Sequence, residues 1–162
     1  MTTGSQRAQK LLTGFENLHE ELLLFVETCV DEDWQKVTSA EKWPVSIVAR
    51  HIGGAHYGVI EWVKLMMAAQ PLPPVTMDMV DEMNAKQAKE HANCTQAEVL
   101  QLLEKEGEKV VSVISGLSDE ELDRSAYLKA FNLQMTVEAV IKKVIIRSSQ
   151  GHVESMKATV GA

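Results

Sequence analysis

Four stretches of this chain repeat apolar residues at alternating steps of three and four, and that period leaves few folds open. In the first, Leu11, Phe15, Leu18, Leu22, Phe25 and Cys29 have the spacing of a helix that buries one face, and Asp31, Glu32 and Asp33 end it. The second starts at Pro44, whose fixed φ suits a first helical turn. It runs through Val48, Ile52, Ala55, Val59, Trp62 and Met66 until Pro71, Pro73 and Pro74 stop it. Thr95 and Glu98 form a capping-box pattern that opens a third stripe of Val99, Leu103, Val110, Ile114 and Leu117, with Gly116 at its end. The fourth follows Thr136 with Val137, Ile141, Val144, Ile145, Ser148, His152 and Met156. Shorter helices are predicted at about 78–90 and, from the capping pattern of Ser118 and Glu121, ahead of the fourth stripe. No strand pattern of comparable length and no repeat of fixed period is present.

Four long helices with one apolar stripe each can bury those stripes only against one another. The expected fold class is therefore all-α, an antiparallel four-helix bundle without a sheet, with short extra helices in the long connections. The connections between the second and third and between the third and fourth helices are long, which speaks against simple up-down-up-down hairpins. At 162 residues, one domain over 1–162 is expected. A net charge of −7 with no Lys/Arg cluster excludes the phosphate backbone of a nucleic acid as a partner. Apolar runs are broken far short of the roughly 20 residues that span a bilayer, and residues 1–10 lack the apolar core of a signal peptide, so no membrane partner is expected. Cys29 and Cys94 lack C-x-x-C spacing and read as small core residues of a cytoplasmic protein.

Function in a bundle sits where polar side chains interrupt the apolar faces. His51 lies at the edge of the second stripe. His56 falls about 140° further round at 100° per residue, which predicts a partly exposed ring unable to share an ion with His51. Ser148 and His152 are one turn apart on the fourth stripe, and both are expected to face inward. Such histidines are either hydrogen-bonded core residues or ligands, imidazole nitrogen being suited to zinc, nickel or iron. Glu106 lies at the edge of the third stripe, as a solvated boundary residue or as a carboxylate aimed at the same cavity. Gly107 costs its helix about 1 kcal/mol relative to alanine, which implies close helix packing or room for a ligand. His19 and His91 sit among charged neighbours and read as exposed, and Met66, Met67, Met77, Met79, Met83 and Met135 read as fillers of core gaps.

The run from Trp43 and Pro44 through Arg50, His51 and Ile52, then Met83-Asn84, the segments opening at Thr95 and Leu117, and Thr136-Val137 with the Ser148 to His152 spacing and Met156 come in a particular order. In that order the whole chain resembles the DinB-like superfamily of bacterial four-helix bundles, which includes mycothiol- and bacillithiol-dependent transferases and maleylpyruvate isomerases. Metal-binding members carry one histidine on the second helix and a His-x-x-x-His pair on the fourth. The resemblance therefore implies His51 and His152 as metal ligands and puts Ser148 where a third histidine belongs, an incomplete triad. His56 and Glu106 are the substitutes within the chain, and helical geometry favours neither. Two functions stay open. One is a metal-dependent enzyme, an S-transferase or a related hydrolase or isomerase. It would hold zinc or nickel, with Ser148 as the catalytic residue, a low-molecular-weight thiol as cofactor and a small molecule as substrate. The other is a metal-free bundle that binds a small apolar ligand or serves as a homodimeric stress-related protein. The resemblance implies a homodimer in either case.

Overall fold

In the computed structural model, residues 4–161 are described, and they form seven helices and one β-hairpin. Helix α1 is Gln6–Thr28, capped by the Ser5 side chain, which accepts from the Ala8 amide at 3.1 Å. The short α2, Asp31–Trp34, buries Trp34, whose Nε1 donates to the Cys94 carbonyl at 3.1 Å. Helix α3 covers 45–67, α4 is Met77–Glu90, α5 is Gln96–Ser115 and α6 is Asp119–Asp123. Strands β1 (Ser125–Leu128) and β2 (Leu133–Thr136) precede α7, which covers 137–160. Thr95 and Ser118 accept from the amides of Glu98 and Glu121, as their sequence patterns require, and Ser118 with Glu121 completes a reciprocal capping box.

The hairpin corrects the expectation of a sheet-free fold. Its strands pair antiparallel with Ser125 opposite Thr136 and Leu128 opposite Leu133. Leu128 and Met135 are buried, and the Val137 amide donates to the Arg124 carbonyl at 2.8 Å as the chain enters α7. Four residues per strand give too short an alternation to stand out in the sequence.

The long helices α1, α3, α5 and α7 pack with α1 and α3 each lying between α5 and α7. Gly4 and Ser5 donate to the carbonyls of Ser115 and Leu117, while Gln96 reaches the carbonyls of Val26 and Cys29, so α1 and α5 are antiparallel. Arg7 binds Glu138 and Lys157 binds Glu21, so α1 and α7 run parallel. Cys94 Sγ faces the Ser46 carbonyl, and a Cβ on Gly53 would touch Leu102 and Leu103, so α3 and α5 also run parallel. The adjacent pairs are thus half parallel and half antiparallel, in place of the antiparallel bundle expected. The long connection through α4 is what lets parallel neighbours follow one another in the chain.

Two of the long helices are not α-helical throughout. In α3 the segment Val45–His51 is α-helical, Ile52–His56 is a π turn in which the Tyr57 amide donates to the Ile52 carbonyl, Tyr57–Val59 is 3₁₀, and Ile60–Met67 is α-helical again. In α7 the π segment is Val140–Arg147, ending with the Ser148 amide on the Lys143 carbonyl. An i→i+5 turn takes in roughly one residue more than an α turn, so every later side chain moves to a different face. The buried set of α3 accordingly passes from Ile52 to Tyr57, Ile60 and Val63 rather than to Ala55, Val59 and Trp62, and that of α7 runs Ile141, Ile145, Ser149 and Val153 rather than through Ser148. The regular helices α1 and α5 bury the residues their stripes predict, Leu11, Phe15, Leu18 and Leu22 against Val99, Leu103, Val110 and Ile114.

Candidate metal centre

Half-buried between α3 and α7, His51, His56 and His152 converge, with one ring nitrogen from each lying within 4.8 Å of the others. This corrects the expectation that His51 and His56 point apart. The 140° separation holds for an α-helix, and the π turn between them carries the fifth residue nearly back onto the face it started from. The turn is built on Gly53 and Gly54. Gly53 permits the close approach to α5, since a Cβ there would stand 3.1 Å from a Leu103 methyl.

The π segment of α7 is the counterpart. It leaves the Val144 carbonyl turned toward α3, where it accepts from His56 Nδ1 at 2.9 Å. It also turns Ser148 aside: that residue is half-buried, and its hydroxyl donates to the Lys143 carbonyl at 2.9 Å instead of joining the histidines. His152 remains at the site, with its Nδ1 donating to Glu41 at 2.8 Å. Glu41 is itself held by the Ser155 hydroxyl at 2.6 Å. It comes from a tight turn after α2, closed by hydrogen bonds between Thr38 and Trp43, in which Lys42 adopts a left-handed φ of 62°. That turn sets Glu41 against His152 and Trp43 edge-on to His51, at a ring separation of 5.3 Å.

The protons of two imidazoles are thereby assigned. Val144 O and the Glu41 carboxylate only accept, so His56 and His152 both carry hydrogen on Nδ1. Their Nε2 atoms nevertheless face each other at 3.1 Å. In the neutral state neither Nε2 has a proton to give, and two lone pairs meet. A proton or a metal ion relieves that contact. Burial lowers the His56 pKa to about 4, against a raising effect of the Val144 carbonyl and with a further lowering from His152. Burial, helped by His56 and His152 and opposed by Glu41, takes His51 to about 3. A proton on His51 or His56 is therefore disfavoured at neutral pH, and a cation bound by lone pairs fits the donor set. Metal–nitrogen bonds of about 2.0–2.1 Å in a tetrahedral arrangement put two nitrogens roughly 3.3 Å apart, close to the separation present. Burial pushes the Glu41 carboxyl up, but hydrogen bonds from His152, Ser155 and Thr38 outweigh it and keep the group below its ordinary value. It stays an anion beside His152.

A cavity of about 220 Å³ opens onto His51, walled by Trp43, Ile47 and Ala55 of the α3 side and by Met83, Asn84 and Gln87 of α4. Met83 thus faces a pocket, and Met77 and Met79 are exposed as well, so the methionines of α4 are not core fillers, whereas Met66, Met135 and Met156 are buried. Glu106 lies away from the site in an ion pair with Lys109 at 3.2 Å. Gly107 serves close packing: a Cβ there would lie 2.5 Å from His19 Cε1. His19, expected to be exposed, is half-buried, and its Nδ1 is 2.8 Å from the buried Tyr57 hydroxyl, in the turn next to His56. Cys29 and Cys94 are free thiols. No helix among the described residues is long and apolar enough to cross a membrane.

Residues 15–146 match the family model of the DinB superfamily, a stretch that includes His51 and His56 and ends just before His152. Among solved structures the chain is similar to YfiT from Bacillus subtilis, described as "a probable metal-dependent hydrolase with an unusual four-helix bundle topology". The TM-score is 0.76 at 17% sequence identity, over 97% of this chain and 90% of that chain, a likeness that establishes the fold alone. No curated protein matches the chain.

Proposed function

The chain belongs to the DinB superfamily, and from that premise we propose that it is a metal-dependent hydrolase of a small molecule, with His51, His56 and His152 as ligands of one zinc or nickel ion. The observation that carries the reading is the pair of Nε2 lone pairs facing each other at 3.1 Å while both Nδ1 protons are held elsewhere. When bound, a divalent ion supplies Lewis acidity, which activates water or polarises a carbonyl at neutral pH. The chain's residues supply the rest. Val144 and Glu41 fix the tautomers and ring orientations of His56 and His152. Three protein ligands leave a coordination position open, as catalytic sites require and structural sites do not. Trp43 and Ile47 form an apolar wall of the adjoining pocket. That pocket, at about 220 Å³, is smaller than the roughly 300–1,000 Å³ of drug-sized ligand sites. Its size favours hydrolysis over thiol transfer, since water is the smallest co-substrate. YfiT, described as a probable metal-dependent hydrolase, is consistent with this choice.

Metal analysis of protein purified without nickel resin tests the reading. About one zinc or nickel ion per chain is expected, lost in His56→Ala, together with hydrolysis of small ester or amide substrates that a chelator abolishes. Protein that neither retains metal nor takes up zinc at micromolar concentration would sink it. A homodimer belongs to the same proposal, supported by the exposed Met77, Met79, Tyr127 and Leu133. Sedimentation equilibrium is expected to give twice the chain mass, and a monomer at micromolar concentration removes that part.

A further inference from the structure

The pocket beside His51 contains a cation that the metal site does not use. Arg7 is gripped by Asp123 and Glu138, Arg124 lies against Glu120, and Arg147 is exposed. Arg50 is half-buried, lines the pocket, and has no carboxylate within ion-pair distance among the described residues. Its one side-chain partner is neutral: Nη1 donates to Gln87 Oε1 at 3.3 Å. A guanidinium has five N–H donors in a planar fork, so most of its capacity is left unclaimed by protein side chains. Glu41 cannot neutralise it, being held by His152 and Ser155. Arg147 also lacks a carboxylate partner among the described residues, but it is exposed, whereas Arg50 is half-buried at the pocket. Around it stand the amides of Asn84 and Gln87 and the apolar wall of Trp43 and Ile47.

We propose that Arg50 is the specificity-determining residue of this site and binds the carboxylate of a small substrate whose reacting group is presented to the three histidines. The second half rests on the metal-dependent reading; the anion subsite does not. The planar fork matches a carboxylate bidentately, and the small apolar-walled cavity suits a short carbon chain between that end and the histidines.

Butyrate and its uncharged counterpart butyramide, titrated into the zinc-free full chain at pH 7.5 and followed by the Trp43 indole N–H resonance, test the subsite. Butyrate is expected to bind at least about tenfold more tightly than butyramide, as a charge-assisted bidentate pair should. Arg50→Gln is expected to erase the difference, and Arg50→Lys, which keeps the charge without the fork, to retain part of it. Equal binding of the two probes by the wild type, or a preference that survives Arg50→Gln, overturns the proposal. Tighter binding of methyl phosphate than of butyrate overturns the carboxylate assignment. Zinc titrations separate the two readings, because Arg50→Gln is expected to keep wild-type zinc affinity. A wild type that binds no zinc but keeps its Arg50-dependent butyrate preference rejects the metal site and upholds the subsite. A butyrate preference that arises only with zinc and ignores Arg50 places the anion at the histidines and overturns the subsite.

Discussion

Acidification of the metal-free protein is expected to destabilise it above the pH range in which carboxylates titrate, because two half-buried histidines are held neutral. His51 and His56 have pKa values lowered to about 3 and about 4, chiefly by burial, whereas in the unfolded chain both return to about 6.5. Between those limits the unfolded state binds protons that the folded state refuses, so stability falls as pH drops below about 6.5. Each histidine costs about 1.4 kcal/mol per pH unit in that window. From pH 7.5 to 5 the loss is about 2 kcal/mol per ring and about 4 for the pair, a large part of the 5–15 kcal/mol typical of a folded domain. The lowered pKa of half-buried His19 adds in the same direction. Glu41, held below its ordinary 4.5, loses its contribution only at lower pH and stays out of the window. Urea unfolding followed by circular dichroism at pH 7.5, 6.5, 5.5 and 5.0, with a chelator present, measures the slope. His56→Gln removes one of the two titrating rings, so the slope should fall by about half. Stability that is flat between pH 7.5 and 5, or a slope unchanged when both His51 and His56 are replaced by glutamine, would refute the reasoning.

His56→Ala should lower zinc affinity by well over tenfold, more than about 1.4 kcal/mol, while Ser148→Ala, whose hydroxyl is bound to Lys143, should leave it unchanged; isothermal titration at pH 7.5 reads both. Glu41→Gln keeps a hydrogen-bond acceptor beside His152 but removes the charge, and a drop in zinc affinity of about 10–100-fold is expected by the same titration. Gly107→Ala should destabilise by about 1–3 kcal/mol in urea, because the new methyl would displace the His19 ring from its bond to Tyr57.

The class of fold was readable from the four apolar stripes alone. Helix period is a local property, and where the backbone keeps α geometry, as in α1 and α5, the stripes Leu11 to Phe25 and Val99 to Ile114 are the residues found buried. The caps at Thr95 and Ser118 were legible for the same reason, since each needs only a hydroxyl and an amide three residues on. His51 and His152 were legible as polar interruptions of apolar faces. His56 was not, because projection at 100° per residue assumes the regular turn that Ile52–His56 abandons. The Gly53-Gly54 pair between the two histidines is the one sequence signal of that weakness. In α7 nothing in the run Val140–Arg147 marks the π turn that exchanges Ser148 for Ser149 at the buried position. Glu41 and Arg50 were invisible as site residues, one lying in a turn far from His152 in sequence and the other adjoining a histidine on a helix. Only tertiary structure decides such matters. A π turn is poorer than an α turn on its own and survives where contacts such as His56 to Val144 and Tyr57 to His19 compensate for it. Those contacts join residues that the sequence keeps far apart.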